Sequence, residues 1–529
     1  MNLSNIGLLD LPYDILLIIL KKLNNIDVLY SLLDVDNQRL DIIVQENTFT
    51  NTLNFVLTTS TDDISPFTDS ILDRFCINIL PRIHHNIKSL ILDSISMERI
   101  LLAADYPNLT ELKLFNFNGK IVSHYFTVES PFRRIFQRQI TDLILVFEND
   151  FNEISVKHYT TDVYGYILKF FENLKHLSIG SFPHFFPPLV LRNLPLITFS
   201  SSILYKLCIR VGNFLDFLAL LDGRLQQLTT LIVAIGDMAY HSSNVYNMDN
   251  LPNLKCFSLK CYCLSYEYDA QILPLFCHMS NLEELTLHIT IESRTAFIDG
   301  THIYNEILVH MPRLRTFYFC ISTDTHMDRL IRHLSRDDIQ GTFTNIISEQ
   351  VDCIVNYRYR SAMCHVFSLP FMFDSLKYIG NKFPTIIFNN VKILAVHDGV
   401  PFKHEFFIRI AWSFPLLKQL SVINLKPQSP ILDQLTSNDN QLYSIVEYPY
   451  LTLLRLEAVH IDYVEQFLNY TKTHLPRLTK LGVNYDQLTI VTENFTRDTT
   501  RLNCVKVKQL NINKTLVHSK DFYVYFPFL

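Results

Sequence analysis

The chain has 529 residues, of which 48% are hydrophobic and 19% charged, and its formal net charge is −6. This length allows a large core or several domains, and only 12 glycines argue against a disordered or low-complexity chain. The negative net charge argues against a basic surface that binds nucleic acid and against a polybasic patch that binds a membrane. Ten cysteines are scattered along the chain without a signal peptide, so we expect reduced thiols in the cytoplasm or nucleus.

The first predicted element is a helix in "LPYDILLIILKKL", residues 11–23. Its apolar run is far shorter than the roughly 20 residues that span a bilayer, and acidic residues flank it, unlike a signal peptide. Pro12 suits the first helical position, and Asp14 suits the positive end of the helix dipole. The helical period predicts one apolar stripe formed by Leu16, Ile19, Leu20 and Leu23. It predicts a second apolar face formed by Ile15, Leu17 and Ile18.

Two more helices are predicted after this one, in "VLYSLLDV" and "QRLDIIV". About forty residues of small helices cannot bury this much apolar surface among themselves. Part of that surface must pack on the rest of the chain or on another protein.

A repeated phrase follows, with the kernel Leu-x-x-Leu-x-Leu, as in "YPNLTELKL" at 106 and "LPRLTKLGV" at 475. The spacing of most copies is 22 to 34 residues, and the gap of 77 residues from 314 to 391 leaves room for one or two degenerate units. Fourteen copies begin at residues 87, 109, 140, 174, 204, 228, 254, 282, 314, 391, 417, 451, 478 and 507.

Each repeat predicts a helix, a proline stop and a short strand. Leu112 and Leu114 alternate, so both point to one side of a strand. Val464, Phe467, Leu468 and Thr471 follow the helical period instead. Proline cannot continue a helix, and six copies carry one two residues before the kernel leucine. Stacked units bury leucines that a single unit leaves exposed. We therefore expect a parallel sheet on a concave side and helices on a convex side.

This pattern resembles the leucine-rich-repeat family over residues 85–515, and the resemblance implies an α/β solenoid shaped as a horseshoe. The family usually places Asn or Cys three residues after the last kernel leucine, where it hydrogen-bonds the turn. Here those positions hold other residues, so we expect uneven curvature and irregular loops: Phe117, Tyr262, Thr290, Leu425 and Asp486.

Residues 8–45 resemble an F-box, a small all-α module. The pattern begins at Leu11-Pro12-x-Asp14, where the family has Leu-Pro-x-Glu, and it closes at Arg39-Leu40. An F-box followed by leucine-rich repeats resembles the substrate receptors of cullin-RING ubiquitin ligases. This chain has Asp36 and Arg39 near the positions where the family usually has Cys and Trp. The alternative is that residues 11–43 only cap the first repeat.

Motifs for catalysis are absent from the sequence: it has no glycine-rich phosphate loop, no G-x-S-x-G and no H-E-x-x-H. We therefore expect a protein that is not an enzyme and has no cofactor. The Cys and His residues between 256 and 278 lack the spacing of a zinc ribbon or finger, so we interpret them as reduced cysteines without metal. The pairs His84-His85 and Asp337-Asp338 are interpreted as surface segments, and the pair Phe185-Phe186 as part of a packed loop.

The resemblance implies a non-catalytic receptor in three parts: an F-box at 1–50, a linker or cap at 51–84 and an irregular repeat solenoid at 85–529. Its F-box would dock on a Skp-type adaptor, and through it on a cullin, while the repeats bind an unknown protein substrate. Nucleic acid and membrane are not expected as partners. The alternative is a repeat scaffold that binds proteins without a ubiquitin link.

Two sets of contact residues follow. The adaptor-binding set is Leu11, Pro12, Ile15, Leu16, Ile19, Leu20, Leu23, Val28, Leu29, Leu32 and Val35. In the strands, residues between the leucines face the concave surface, and the target-binding set there is Lys113, Phe115, His288, Tyr318, Arg455 and Lys480.

Overall fold

A computed structural model describes residues 11–58, 64–147, 159–180, 187–192, 194–236, 253–264, 268–331, 333–344, 350–428, 445–513 and 520–529. The fold is α/β, with a large mixed sheet of twelve strands and a parallel sheet of six among the described residues. The chain divides into two compact units, residues 1–259 and 260–529, and each is described by itself. The predicted boundaries at residues 50 and 84 stay predictions.

The helices are short, as expected for segments that connect neighbouring strands. Four π-helical segments also occur, at Phe75–Ile79, Arg134–Gln139, Thr160–Tyr164 and Tyr268–Ile272. The described α-helices are Tyr13–Leu20, Asn25–Leu32, Gln38–Val44, Asn47–Thr50, Asp69–Arg74, Leu80–Ile83, Met97–Leu102, Gly119–Tyr125, Gly165–Phe170, Phe214–Leu220, Leu273–Cys277, Gly300–Glu306, Arg336–Gly341, His404–Ser413, Ile461–Leu468, Tyr485–Val491, Asp498–Cys504 and Lys520–Tyr525. None of these described helices is both long and apolar enough to cross a membrane.

The strands follow the predicted repeat closely. At each of the fourteen kernels a strand begins two residues after the kernel start. The strands are β1 Thr52–Asn54, β2 Val56–Thr58, β3 Ile64–Pro66, β4 Ser89–Asp93, β5 Glu111–Phe117, β6 Asp142–Phe147, β7 His176–Gly180, β8 Lys206–Val211, β9 Thr230–Ile235, β10 Cys256–Leu264, β11 Glu284–Glu292, β12 Thr316–His326, β13 Gln350–Tyr357, β14 Ser361–Leu369, β15 Ser375–Ile379, β16 Ile393–His397, β17 Gln419–Asn424, β18 Val446–Glu447, β19 Leu453–Val459, β20 Thr473–His474, β21 Lys480–Val483 and β22 Gln509–Ile512.

In the first unit, β1 and β4 to β9 lie side by side in chain order, all parallel. One leucine from each strand occupies the same register row, and each is at most 1% exposed. Burying a leucine stabilises a fold by roughly 1.5–3 kcal/mol, so this row accounts for much of the core. Its members are Leu53, Leu90, Leu112, Leu143, Leu177, Leu207 and Leu231.

A second regularity lies just before the strands, in the backbone. The carbonyl of Lys88 accepts hydrogen bonds from the amides of Thr110 and Glu111, both at 3.0 Å. The carbonyls of Thr110 and Thr141 are used in the same way by the next strands. Backbone amides and carbonyls at the start of these strands are thus hydrogen-bonded to each other. Such pairing is required because the chain enters a buried sheet there.

In the second unit, β11 and β12 are parallel, but β14 and β13 then add to the edge as an antiparallel hairpin. The 77-residue gap between kernels therefore contains this hairpin in addition to a degenerate unit of the kind for which the sequence left room. One degenerate strand does occur there, because β15 pairs with β16 in parallel and places Leu376 beside Leu394. The hairpin strands are buried on both faces over most of their length and include buried polar residues, a pattern that carries no repeat signature.

Six further strands of the second unit form a parallel sheet in the order β15-β16-β17-β19-β21-β22, and β18 pairs with β20 in a separate two-stranded sheet. Its leucine row is Leu376, Leu394, Leu420, Leu454, Leu481 and Leu510. The predicted helix before β21 is confirmed at Ile461–Leu468, where Val464, Phe467 and Leu468 are buried. Thr471 lies beyond its end.

Polar side chains do close several strand ends, nearer to the strand than the sequence pattern suggested. The Asp93 carboxylate accepts from the Ile95 amide at 2.8 Å, and the Asp398 carboxylate accepts from the Asn381 amide at 2.7 Å. The buried Asn424 amide donates to the Val400 carbonyl at 2.8 Å. These contacts satisfy turn backbone groups two to four residues after the last buried strand residue.

Candidate protein-binding surfaces

The first helix, Tyr13–Leu20, separates its apolar residues onto two sides. Leu16 and Leu20 are buried, whereas Ile15, Ile18 and Ile19 are 45%, 56% and 40% exposed. The three isoleucines are spaced i, i+3 and i+4, so they share one face of the helix. We call this the exposed isoleucine face.

The exposed isoleucine face belongs to a segment that is well tied to the first unit. The Arg39 guanidinium donates to the Leu11 carbonyl at 2.5 Å, and Arg74 donates to the Leu33 carbonyl at 3.1 Å. Arg82 pairs with Asp34. The second helix is capped by the Asn24 side chain, which accepts from the Ile26 amide at 3.3 Å. These bonds hold the helices in place while the isoleucines stay in solvent.

The predicted adaptor-binding residues therefore fall into two groups. Leu16, Leu20, Val28 and Leu29 lie in the core, with at most 2% exposure, and Leu11 and Leu32 are half-buried. The exposed members are Pro12, Ile15, Ile19, Leu23 and Val35. The adaptor-binding set omitted two exposed residues, at 56% and 62% exposure: Ile18, which the sequence placed on the second apolar face, and Ile42. Ile18 lies three residues after Ile15, and Ile42 lies three residues after Arg39. This spacing puts each pair on one helix face, and it could have added both isoleucines to the set.

The sheet faces carry the predicted target-binding residues, and they fall in different places. Lys113 and Phe115 are half-buried on β5 in the first unit, where the Lys113 ammonium lies 4.8 Å from the Phe115 ring centre. Tyr318, on β12, is half-buried and packs beside a hydrophobic core of the second unit. These three residues present only part of their surface to a partner.

His288 on β11 is not exposed as predicted, because its ring is buried and 4.6 Å from the ring of Phe373. Burial, with Lys260 nearby, lowers the pKa of His288 to about 3. Phe373 comes from a segment about eighty residues later in the chain, which the strand pattern around His288 does not reveal. We therefore exclude His288 from the binding surface.

Arg455 and Lys480 are exposed, as predicted, on adjacent strands of the six-stranded sheet. Leu453 pairs with Lys480, and Arg455 pairs with Gly482, so both charged side chains lie on the face opposite the leucine row. The Glu457 carboxylate covers Gly482 and accepts from the Asn511 side-chain amide at 3.0 Å.

Further cations that the predicted set does not include lie at the entrances of three strands of this sheet. Lys392, Lys418 and Lys508 occupy the position just before β16, β17 and β22. The Lys418 amide donates to the Lys392 carbonyl at 2.8 Å, which aligns the two residues on neighbouring strands. The sequence pattern could have identified these lysines, since lysine follows the first kernel residue in "VKIL" and "LKQL".

Nine described cysteines carry free thiols: Cys76, Cys208, Cys256, Cys261, Cys277, Cys320, Cys353, Cys364 and Cys504. Burial raises the pKa of Cys320 and Cys504 to about 12, so these thiols stay protonated. Within the described ranges, no group of three or more His, Cys, Asp or Glu residues is placed to hold a metal ion. The side chain of Cys263 lies outside the described residues, so the absence of zinc stays a prediction.

Three minor predictions can be placed. Asp337 and Asp338 lie in the first turn of helix Arg336–Gly341, where the Asp338 carboxylate accepts from the Ser335 amide at 2.8 Å. Asp338 and Ser335 form a capping box there, and Asp337 is exposed beside it. His84 and His85 form a single 3-10 turn before β4. Phe185 and Phe186 lie outside the described residues.

Comparison with known proteins gives no assignment: no protein-family model matches the chain, and no curated protein sequence matches it.

Proposed function

We propose that this protein is the non-catalytic substrate receptor of a cullin-RING ubiquitin ligase, acting in the cytoplasm or nucleus. Its N-terminal helices are proposed to act as an F-box that docks on a Skp-type adaptor. Its leucine-repeat strands are proposed to form a solenoid whose sheet face holds the target protein. The protein itself supplies binding surfaces, and the transfer chemistry belongs to its partners.

The observation that carries this proposal is the exposed isoleucine face. Three isoleucines on one helix remain 40–56% exposed although Leu16 and Leu20 of that helix are fully packed. Leu23, 54% exposed, follows at the end of the helix. Exposed clusters of large apolar side chains mark interaction sites more often than solvated surface. The position of this face at the F-box resemblance supports an adaptor as its partner.

The test is co-purification with a Skp-type adaptor from cells that express both proteins. The double variant Ile15→Asp and Ile19→Asp places two carboxylates in the proposed contact, and burying unpaired carboxylates costs several kcal/mol. A micromolar contact is worth about 8 kcal/mol, so binding should become undetectable. Leu16 is a poor probe because its side chain is fully buried, and its loss would unfold the helix instead.

A matched control is Ile95→Asp, since Ile95 is 78% exposed in the same unit but lies outside the N-terminal helices. It should retain adaptor binding and thermal stability. If the unmodified protein does not bind the adaptor, the ligase proposal fails. If the Ile95 variant loses binding as completely as the double variant, the exposed isoleucine face is not the contact.

A second candidate function is a protein-binding scaffold whose N-terminal helices only cap the first strands. The bonds from Asn25 to the carbonyls of Thr48 and Thr52, at 3.3 and 3.0 Å, favour this view because they join the second helix to β1. Such a cap predicts that the Ile15 and Ile19 double variant behaves like the unmodified protein in every binding assay.

A further inference from the structure

We propose that the turn between β13 and β14 is a pH-sensitive contact, which is closed while the His397 ring is neutral and opens when this ring takes up a proton. The contact is here called the Arg358 junction, and it consists of Arg358, Asp324, His397 and Tyr378. It joins the edge of the twelve-stranded sheet to the six-stranded sheet within the second unit. Its opening does not depend on an adaptor or on a ligase.

Arg358 lies in the turn between β13 and β14, and its side chain is only 9% exposed. One nitrogen of its guanidinium donates to the Asp324 carboxylate, near the end of β12, at 2.9 Å. Another nitrogen lies 2.8 Å from Nδ1 of His397, the last residue of β16. The Tyr378 ring, on β15, has its centre 5.8 Å from the guanidinium carbon. Arg358 therefore contacts strands of both sheets at once.

The hairpin also packs closely on the six-stranded sheet beside this turn. The buried Asn356 side chain of β13 donates to the His397 carbonyl at 2.8 Å and to the Tyr378 carbonyl at 3.3 Å. A Cβ atom at Gly380 would lie 2.6 Å from the Asp398 carboxylate and 2.8 Å from Asn356, so only glycine fits there. Buried apolar residues of the hairpin and of the six-stranded sheet belong to one hydrophobic core. The Arg358 junction therefore lies at the margin of a buried contact between the two sheets.

The geometry of the contact determines the protonation state of His397. An arginine side chain has only hydrogen-bond donors and stays charged in proteins. Nδ1 of His397 must therefore accept the bond from Arg358, which leaves the proton of the neutral ring on Nε2. A second proton, on Nδ1, would remove this bond and place two positively charged groups face to face across 2.8 Å. The closed junction thus requires a neutral ring.

The groups that face His397 favour its neutral ring. The Asp398 carboxylate, next to it on β16, already accepts hydrogen bonds from two backbone amides. On the neighbouring strands lie the Tyr378 ring, 6.2 Å from the His397 ring, and the apolar Ile423. Burial and then the Arg358 charge lower the pKa of His397, although Asp398 opposes them. Because the ordinary pKa is roughly 6.5, the junction should be closed at pH 7 and should lose stability as the pH falls.

Asp324 is the second titratable group that binds Arg358. Burial raises the pKa of the Asp324 carboxyl, Arg358 lowers it, and Glu292 at the paired position of β11 raises it further. The net shift is upward, so proton uptake by this carboxylate also weakens the junction in acid. A substitution at residue 397 leaves Asp324 unchanged, and it therefore separates the response of the histidine from that of the carboxylate.

The experiment measures amide hydrogen exchange of the full chain by mass spectrometry at pH 7 and pH 5, corrected for the intrinsic exchange rate. The readout is the peptide that contains the turn, where the Arg358 amide donates to the Ser361 carbonyl at 2.7 Å. In the unmodified protein, protection of this peptide should fall at least about fivefold at pH 5, because the His397 ring is then no longer held neutral. The variant His397→Asn should change by less than about twofold, since the asparagine oxygen, bonded to Cγ like Nδ1, accepts from Arg358 at both pH values.

A second variant, Arg358→Lys, tests the other side of the contact. Lysine keeps the positive charge but lacks the planar group that reaches Asp324 and His397 at once. The turn of this variant should exchange at pH 7 at least about fivefold faster than that of the unmodified protein, with no further increase at pH 5. An unchanged turn in this variant would overturn the proposal even if the His397 variant did not fold.

The matched control is His302→Gln. His302 is half-buried in the same unit, contacts the Tyr268 hydroxyl at 3.2 Å and also has a lowered pKa, but it lies outside the Arg358 junction. This variant should keep the response of the turn to acid, at about fivefold. Three further results would overturn the proposal: no response in the unmodified protein, a full response in His397→Asn, or an equal loss of response in both histidine variants. In the last case acid would act on the unit as a whole.

Discussion

The parallel strands of the first unit and the six-stranded sheet of the second share one core pattern but differ on their exposed faces. In the first unit the row beside the leucines contains two acidic residues, Glu111 and Asp142, followed by His176 and Lys206. The Asp142 carboxylate and the His176 ring are hydrogen-bonded to each other. The corresponding row of the second unit carries a single charged residue, Lys480, among polar and aliphatic ones: Ser375, Ile393, Gln419, Leu453 and Gln509. The leucine row fixes the stacking of strands, and the residues between the leucines are free to define what each face binds.

The largest expected effect breaks the core rows. Leu112→Ala in the first unit and Leu454→Ala in the second each remove a fully buried leucine, which costs about 2–5 kcal/mol of unfolding free energy. Their neighbours on the exposed face are the controls, because Lys113→Ala and Arg455→Ala should change it by less than about 0.5 kcal/mol. Urea unfolding followed by circular dichroism measures all four variants.

Hydrogen exchange measured by mass spectrometry then assigns each loss to a unit. If the two core rows are equivalent, Leu112→Ala and Leu454→Ala should each lower the unfolding free energy by an amount within the range of about 2–5 kcal/mol. A leucine variant as stable as its exposed neighbour would show that the row does not support the fold there.

An effect of intermediate size is the pH dependence of stability, which should differ between the two units. The buried histidines among the described residues are His288 and His365, both in the second unit, and burial lowers the pKa of each to about 3. The unfolded chain, with a pKa of roughly 6.5, binds more protons between these values. The stabilisation by the neutral rings is present above pH 6.5 and is lost as the pH falls, by about 2 kcal/mol for each histidine at pH 5.

The measurement compares urea unfolding at pH 7 and pH 5. His302 and His397, half-buried in the second unit, have pKa values shifted in the same direction, which adds to the loss. His288→Gln should remove about half of the contribution from the two buried rings. Hydrogen exchange should show that acid loosens the second unit first. An equal or larger loss in the first unit would contradict this assignment.

The smallest effect concerns thiol reactivity, which should change without a change in stability. Cys277 is exposed, whereas Cys320, Cys353, Cys364 and Cys504 are buried in the same unit. Under native conditions a thiol reagent should label Cys277 first, and Cys277→Ser should remove that fast phase while leaving the melting temperature unchanged. Buried thiols are protonated and covered, so they should react only after local opening.

The same reagent tests the redox and metal predictions. Titration of the denatured chain without reductant should find all ten thiols, and elemental analysis should find no zinc. Fewer thiols, or stoichiometric zinc, would show that the cysteines between residues 256 and 278 do more than pack.

The positions of the repeat strands were determined by the sequence alone. Leucines at alternate positions must point to one side of an extended chain, and that side must be buried, so each of the fourteen kernels located a strand, whereas β1 and β15 join the leucine rows without a predicted kernel. The same reasoning identified Arg455 and Lys480 as exposed, because each lies next to a buried leucine in its strand. These are local relations, visible within a few residues.

Only the tertiary structure decided which faces of the strands and of the first helix are buried by other parts of the chain. His288 follows the pattern of an exposed strand residue, yet Phe373 packs on its ring from a distant segment. The hairpin of β13 and β14 has no repeat pattern, because both of its faces are covered. In the first helix, nearly every residue is apolar, so its sequence does not say which side is buried. The packing of Leu16 and Leu20 made that choice and left the isoleucines exposed.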